Sequence, residues 1–223
     1  FPAETRDLER QIFRGLSGWF QHALAEDKIH YPNKHLGDLV CCWLLAEILE
    51  DADLLRSLEP HFLHAVRAWR EGHWGWGEHL SDNYVGICLS ELAALRYAAR
   101  HMPEPLAKAF GELWSELMGL EYFFYAQPRV PALRQYAFTQ QPYHPGWLEL
   151  LRNLDDPAFV DSACQDRSEY KTQLAIAMLT RRHEPNIAEA VEQPAHRKRV
   201  TRCYGSAEAT SDIAGDYRLG SVS

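Results

Sequence analysis

The chain reads as an all-α protein of antiparallel helical hairpins, forming a partial (α/α) toroid or an irregular helical bundle. Three observations predict this. The apolar residues recur with a helical period of about 3.6 along most of the chain. Short stretches rich in Pro, Gly or Asp, such as "IHYPNKH", "MPEP" and "NLDDP", separate the periodic runs. No pair of alternating, strand-like runs is legible, which leaves helix-on-helix packing as the way to bury the apolar faces.

The elements follow in order. Residues 5–26 carry Leu8, Ile12, Leu16, Trp19, Phe20, Ala23 and Leu24 at the spacing of one helix face. Pro32 breaks that pattern. The next run, 35–50, "HLGDLVCCWLLAEILE", is apolar on nearly all sides, which predicts a central helix. Asp51 or Asp53 can cap a third helix running to Arg70, with Pro60 expected to kink it or delay its start. Ser81 or Asp82 caps a fourth helix reaching His101, and Pro105 opens a fifth reaching Tyr125. "AQPRVPALRQYAF" reads as a loop with a short helix, and "QQPYHPGW" as a turn-rich connection. "DDP" at 155–157 starts a long helix through Leu179. These elements define one all-α domain, 1–183. Residues 184–223 have few large apolar side chains and no sustained period, and are expected to be a loosely structured tail. Its "HRKRVTR" is read as a solvated basic patch rather than a nucleic-acid arm.

Composition narrows the function classes. The chain has 223 residues, 46% of them apolar and 24% charged, the balance of a folded globule with room for a core. Its net charge of −8 disfavours nucleic acids, and polyanionic substrates too unless a local basic pocket overrides the total. No apolar run reaches the ~20 residues of a membrane helix. Five cysteines without a Cys-x-x-Cys pair read as reduced thiols in a cytoplasmic protein. The dinucleotide, Walker and Gly-x-Ser-x-Gly patterns are absent. "DDPAFVD" lacks the spacing of a diphosphate-binding cyclase motif, and Ile87 stands where the Asn83–Glu91 pair would need a hydroxyl. Neither His61 and His64 with Glu59, nor Glu26 with His30 and His35, matches a metal motif, so no metal and no cofactor is expected. Cys88 reads as a small core residue.

One stretch stands apart. "EGHWGWGEHLSDNYVG", residues 71–86, packs two His, two Trp and an Asp-Asn-Tyr triplet among glycines. Imidazoles exchange protons near neutral pH. A phenol can donate to a leaving group, and an amide can hold a developing oxyanion. His79 is therefore the candidate acid or base, Tyr84 the proton donor or anion stabiliser, and Asn83 the oxygen holder. Trp74 and Trp76 offer flat apolar walls, and the glycines allow tight turns. Tyr84, Cys88, Glu91 and Leu95 share one helix face. If that face is inward, Glu91 is a carboxylate at a mostly apolar position, suited to tuning or relaying a proton together with His73. Alternatively Glu91 pairs with Arg96, Arg129 or Arg134, or reaches solvent, and the tryptophans merely plug the bundle. Arg129, Arg134 and Tyr136 can bind a substrate carboxylate.

The aromatic, Gly-rich "WGWGEH" followed by "DNY" at a helix start resembles the (α/α)-toroid helical-hairpin enzymes, which include heparinase-like polysaccharide lyases. The likeness spans residues 10–138, by helix pattern more than by motif. It implies Asn, His and Tyr in a cleft, roles that Asn83, His79 and Tyr84 match. The chain is shorter than a full toroid, and the β-domain most such lyases carry is not legible in it. Three readings follow. The first is a cofactor-independent enzyme that cyclises, isomerises or eliminates from a small hydrophobic molecule, as in natural-product biosynthesis. The second is a lyase acting on uronates, and the third a non-catalytic helical scaffold.

Overall fold

The computed structural model describes residues 3–26, 28–71, 82–124, 147–166, 168–187, 196–203, 207–214 and 217–222. Among the described residues, eight helices come first: α1 (Ala3–Leu24), α2 (Pro32–Ile48), α3 (Ala52–Glu71), α4 (Asp82–Ala98), α5 (Glu104–Phe124), α6 (Trp147–Arg152), α7 (Pro157–Asp166) and α8 (Ser168–His183). They form the all-α bundle that the periodicity predicts. Three strands follow: β1 (His196–Cys203), β2 (Ala207–Ala214) and β3 (Tyr217–Val222). They make an antiparallel meander in the order β1-β2-β3, with His196 opposite Ala214 and Ala214 opposite Tyr217. The expectation that no strand pair forms is thus corrected. β1 and β2 carry charges and small residues in place of large apolar ones, so the alternation that marks a strand by sequence is missing.

Local chemistry explains the helix ends. Pro32, expected only as a breaker, opens α2, because its fixed φ and missing N–H suit a first turn. At the other end of α2, Glu50 takes a left-handed φ of 57° and the Asp51 amide donates to the Ala46 carbonyl at 2.8 Å. That closes the helix in the manner of a Schellman motif. Asp51 then accepts from the Leu54 amide at 2.9 Å and caps α3 directly. Pro60 lies inside α3 without delaying its start. After Asp155 the described helical residues are α7 and α8, on either side of Arg167, which lies outside the described residues.

The core lies between α2, α3, α4 and α5, with α6 and α8 closing it. Leu36, Leu39, Trp43, Phe62, Leu89, Leu95, Leu106, Leu113 and Trp147 are all fully buried. Trp43 meets Phe62 edge-on with ring centres 5.6 Å apart, and Phe62 meets Phe110 edge-on at 4.9 Å. α2 packs against α1, α3 and α4, the central place its all-round apolarity predicts.

Contacts fix the helix directions. Gly37 of α2 lies against Glu91 of α4. Ten residues along α2, Glu47 accepts from the Arg100 and His101 amides just past the end of α4. α2 and α4 therefore run parallel. Phe62 meets Phe110, and Arg70 pairs with Glu112 and Glu116, so α3 and α5 also run parallel to each other. Each short hairpin turn reverses the chain between α2 and α3 and between α4 and α5. The four helices are two hairpins laid side by side.

α1 departs from its expected role. Leu8, Ile12, Leu16 and Trp19, read above as part of the core face, are 44–58% exposed. The face turned to α2 carries Ser17 and Leu24, with Phe13 and Phe20 half-buried.

Candidate functional site

The hairpin directions decide where the sequence-predicted residues lie. α3 ends at Glu71 and α4 begins at Asp82, at the end of the bundle where α2 also begins. α5, parallel to α3, ends at Phe124 on that side. α6 begins there too: a Cβ built on Gly86, in the second turn of α4, would lie 3.6 Å from the Trp147 amide nitrogen. The two connections that carry His73, Trp74, Trp76 and His79, and Arg129, Arg134 and Tyr136, are therefore both anchored at this one end. Those seven residues lie outside the described residues. Asn83 sits in the first turn of α4, with its side chain outside the described set.

Tyr84 and Glu91 are described, and α4 turns their face inward. Cys88 and Leu95 on that face are buried, and Tyr84 and Glu91 are half-buried. Glu91 crosses to α2 and seats its carboxylate over Gly37. A Cβ at position 37 would stand 2.7 Å from Glu91 Oε1 and 3.3 Å from its Cδ, so only glycine leaves room for the acid in this position. Arg96, one of the partners considered for Glu91, pairs with Glu184 at 2.9 Å.

α2 supplies the rest of the described surroundings, which sequence reasoning did not assign to the site. Asp38 is buried and accepts from Lys34 Nζ at 2.5 Å. Lys34 also stands over the Trp19 ring at 5.8 Å. His35 is buried with its ring edge-on to Trp69 at 6.2 Å, and Trp69 Nε1 donates to the Ile29 carbonyl at 2.8 Å. Burial raises the Cys41 thiol pKa, and the carboxylates of Glu91 and Asp38 push it the same way. Burial likewise lifts Cys42 to about 11. Both thiols stay protonated at neutral pH, which makes them poor nucleophiles. The available signal was Gly37 itself, a lone glycine in a strongly apolar helix, which often marks a close approach.

The other end of the bundle is organised differently. Glu47 accepts from Trp43 Nε1 at 2.9 Å, the Arg100 amide at 2.8 Å and the His101 amide at 3.1 Å, pinning the α4–α5 turn. Beside it lies an open cleft of about 500 Å³, with Trp43, Leu55, Arg56, Arg100 and His101 in its wall. Among the described residues, no group of three or more His, Cys, Asp or Glu side chains could hold a metal ion. None of their helices is long and apolar enough to cross a membrane.

Tyr97, near the end of α4, offers a pH test of the fold. Its hydroxyl donates to Glu184 Oε1 at 2.5 Å, and His183 stacks on its ring at 5.0 Å. Burial raises the phenol above its ordinary pKa of 10.0, and the Glu184 carboxylate raises it further against the opposing pull of Arg96. The unfolded chain releases this proton near 10.0, whereas the folded chain holds it. The stabilisation is thus complete below that pH and is lost as pH rises toward the higher folded value. In an alkaline titration followed by phenolate absorbance, one tyrosine should ionise late, and Glu184→Gln should bring it back toward the others. A titration unchanged by that substitution would refute the assignment.

No protein-family model, no curated protein and no solved structure matches the chain.

Proposed function

We propose that the protein is an enzyme of cofactor-independent acid–base chemistry, working at the end of the bundle where α2 and α4 begin. The observation that carries this reading is the Glu91 carboxylate, held over Gly37 on the same helix face as Tyr84. Helix interiors place a carboxylate against a neighbouring helix only at a cost in desolvation. A carboxylate set against a neighbouring helix, on one face with a phenol, is a candidate for an acid–base role. In the proposed reaction His79 takes a proton α to a carbonyl or carboxylate. Asn83 holds the oxygen on which charge gathers. In an elimination, the bond at the β carbon then breaks and its oxygen takes a proton from Tyr84. Glu91, with His73, relays and tunes. Trp74, Trp76, Arg129, Arg134 and Tyr136 bind the substrate. Among the described residues, Cys41, Cys42 and Cys88 are free thiols, which fit a cytoplasmic setting.

Two substrate classes compete. A small hydrophobic molecule, cyclised or isomerised in a biosynthetic step, suits the aromatic content of residues 71–86. A uronate polymer cleaved by β-elimination is the second reading, and two observations favour it. Lys34, His35, Asp38 and Glu91 make the described part of this end polar. The other is the resemblance of residues 10–138 to the (α/α)-toroid lyases, which implies a cleft bearing Asn, His and Tyr, roles that Asn83, His79 and Tyr84 match.

Incubating the full chain with uronate polysaccharides should produce the ultraviolet absorbance of a new carbon–carbon double bond. A parallel panel of small uncharged ketones, followed by deuterium exchange at the α carbon, reads the first alternative. Turnover in neither panel would leave the helical scaffold reading and remove the enzyme.

A further inference from the structure

α1 presents a stripe that its own fold does not use. Leu8, Ile12 and Leu16 succeed one another at four-residue steps, and Trp19 follows three residues later, so all four lie on one side of the helix. Their exposures are 57%, 51%, 44% and 58%. Scattered exposed leucines are ordinary, but a contiguous stripe of large apolar residues marks an interaction surface. Trp19 is also held in place, with Phe20 edge-on at 4.9 Å and Lys34 over its ring at 5.8 Å. A pre-positioned, exposed tryptophan is the usual anchor of an interface.

Gly15, at the edge of the stripe, indicates what covers it. Gly15 and Gly18 sit in the interior of α1, where glycine weakens a helix. A Cβ on either would meet nothing within 4 Å in the chain's own fold. Among the described residues, packing within the chain therefore gives no reason for them. A second helix backbone approaching closely from outside does.

We infer that α1 is the contact surface of a homodimer, pairing antiparallel with α1 of a second copy. The stripe is self-complementary in that orientation. With the two-fold axis between Ile12 and Gly15, Ile12 of one copy faces Gly15 of the other, and Leu8 faces Trp19. The large Ile12 side chain meets a glycine on each copy. The same arrangement sets Glu4, exposed at the start of the helix, against His22, exposed near its end, on the same flank. A parallel pairing would stack Glu4 on Glu4. The helix is ~33 Å long at 1.5 Å per residue, so the contact lies at the small end of specific interfaces and the dimer is weak, micromolar rather than nanomolar. A membrane surface is the less fitting occupant. Arg6, Arg10 and Arg14 are balanced within α1 by Glu4, Asp7 and Glu9, leaving no cationic excess for anionic lipid.

Sedimentation equilibrium of the full chain over a concentration series should show monomer–dimer exchange. Ile12→Glu should abolish it. Gly15→Ala with Gly18→Ala gives a signature that a merely structural role cannot mimic. The fold should melt at a higher temperature because the helix gains propensity, while dimer dissociation should rise at least tenfold. Cysteine placed at Ile12 in one sample and at Gly15 in another should cross-link when the two are mixed. Any one of three results would overturn the proposal: monomer at every concentration, a dimer indifferent to Ile12→Glu, or α1-dependent binding to phosphatidylserine vesicles without self-association.

Discussion

Glu91→Gln should lower turnover by about 10²-fold, at the low end of the range for groups that move protons in catalysis, because Glu91 acts through a neighbour. Glutamine is isosteric and sits in the same space over Gly37, so the melting temperature should hardly change. What changes is the pH dependence. A carboxylate that relays a proton contributes one limb of the rate profile, and that limb should vanish in the amide. Gly37→Ala approaches the same acid from the opposite helix. Its Cβ would need to occupy a point 2.7 Å from Glu91 Oε1, so the carboxylate must move. Turnover should fall there too, with the rate limb shifted rather than erased. Full turnover in Glu91→Gln on whichever substrate panel responds would remove Glu91 from the mechanism. The same outcome would leave a role for His79 to be tested by His79→Ala.

Phe62→Ala should destabilise the bundle by about 3–5 kcal/mol. Phe62 is fully buried at the junction of the two hairpins, between Trp43 of α2 and Phe110 of α5. Truncation removes the ring's transfer free energy and opens a cavity. It also breaks two edge-to-face contacts, each worth about 0.5–1.5 kcal/mol beyond area burial. For a protein of this size the loss corresponds to a fall in melting temperature of roughly 6–20 °C. Phe62→Leu keeps most of the volume and should cost less than half as much. A loss below about 1 kcal/mol in urea denaturation of Phe62→Ala would mean that the hairpins do not share this core.

Much of the bundle was legible because helices announce themselves locally. The spacing of Leu54, Leu58, Phe62, Val66 and Trp69 specifies both α3 and its buried face, and each of these residues is indeed buried. The shared face of Tyr84, Cys88, Glu91 and Leu95 follows from the same arithmetic, and its inward turn from the docking of α4 on α2. Boundaries were less readable where one residue serves two uses. Pro32 ends one pattern and opens the next helix, and Asp51 closes α2 while capping α3. α1 shows the limit of periodicity. A stripe at helical spacing declares that something covers it, but not whether the cover belongs to the same chain. The strands escaped notice because their pairing is a matter of backbone hydrogen bonds across the meander, which small and charged residues permit without marking.

From its amino acids alone this chain specifies a set of amphipathic helices, their faces, and an unusual concentration of proton-carrying and aromatic groups in residues 71–86. Those properties depend on neighbours within a few turns, so they can be read along the chain. Tertiary structure decided that α2 and α4 run parallel, that both connections of interest leave from one end, and that Glu91 lies over Gly37, residues 54 positions apart. Such pairings depend on which faces find each other when the helices dock, and no local pattern carries that information.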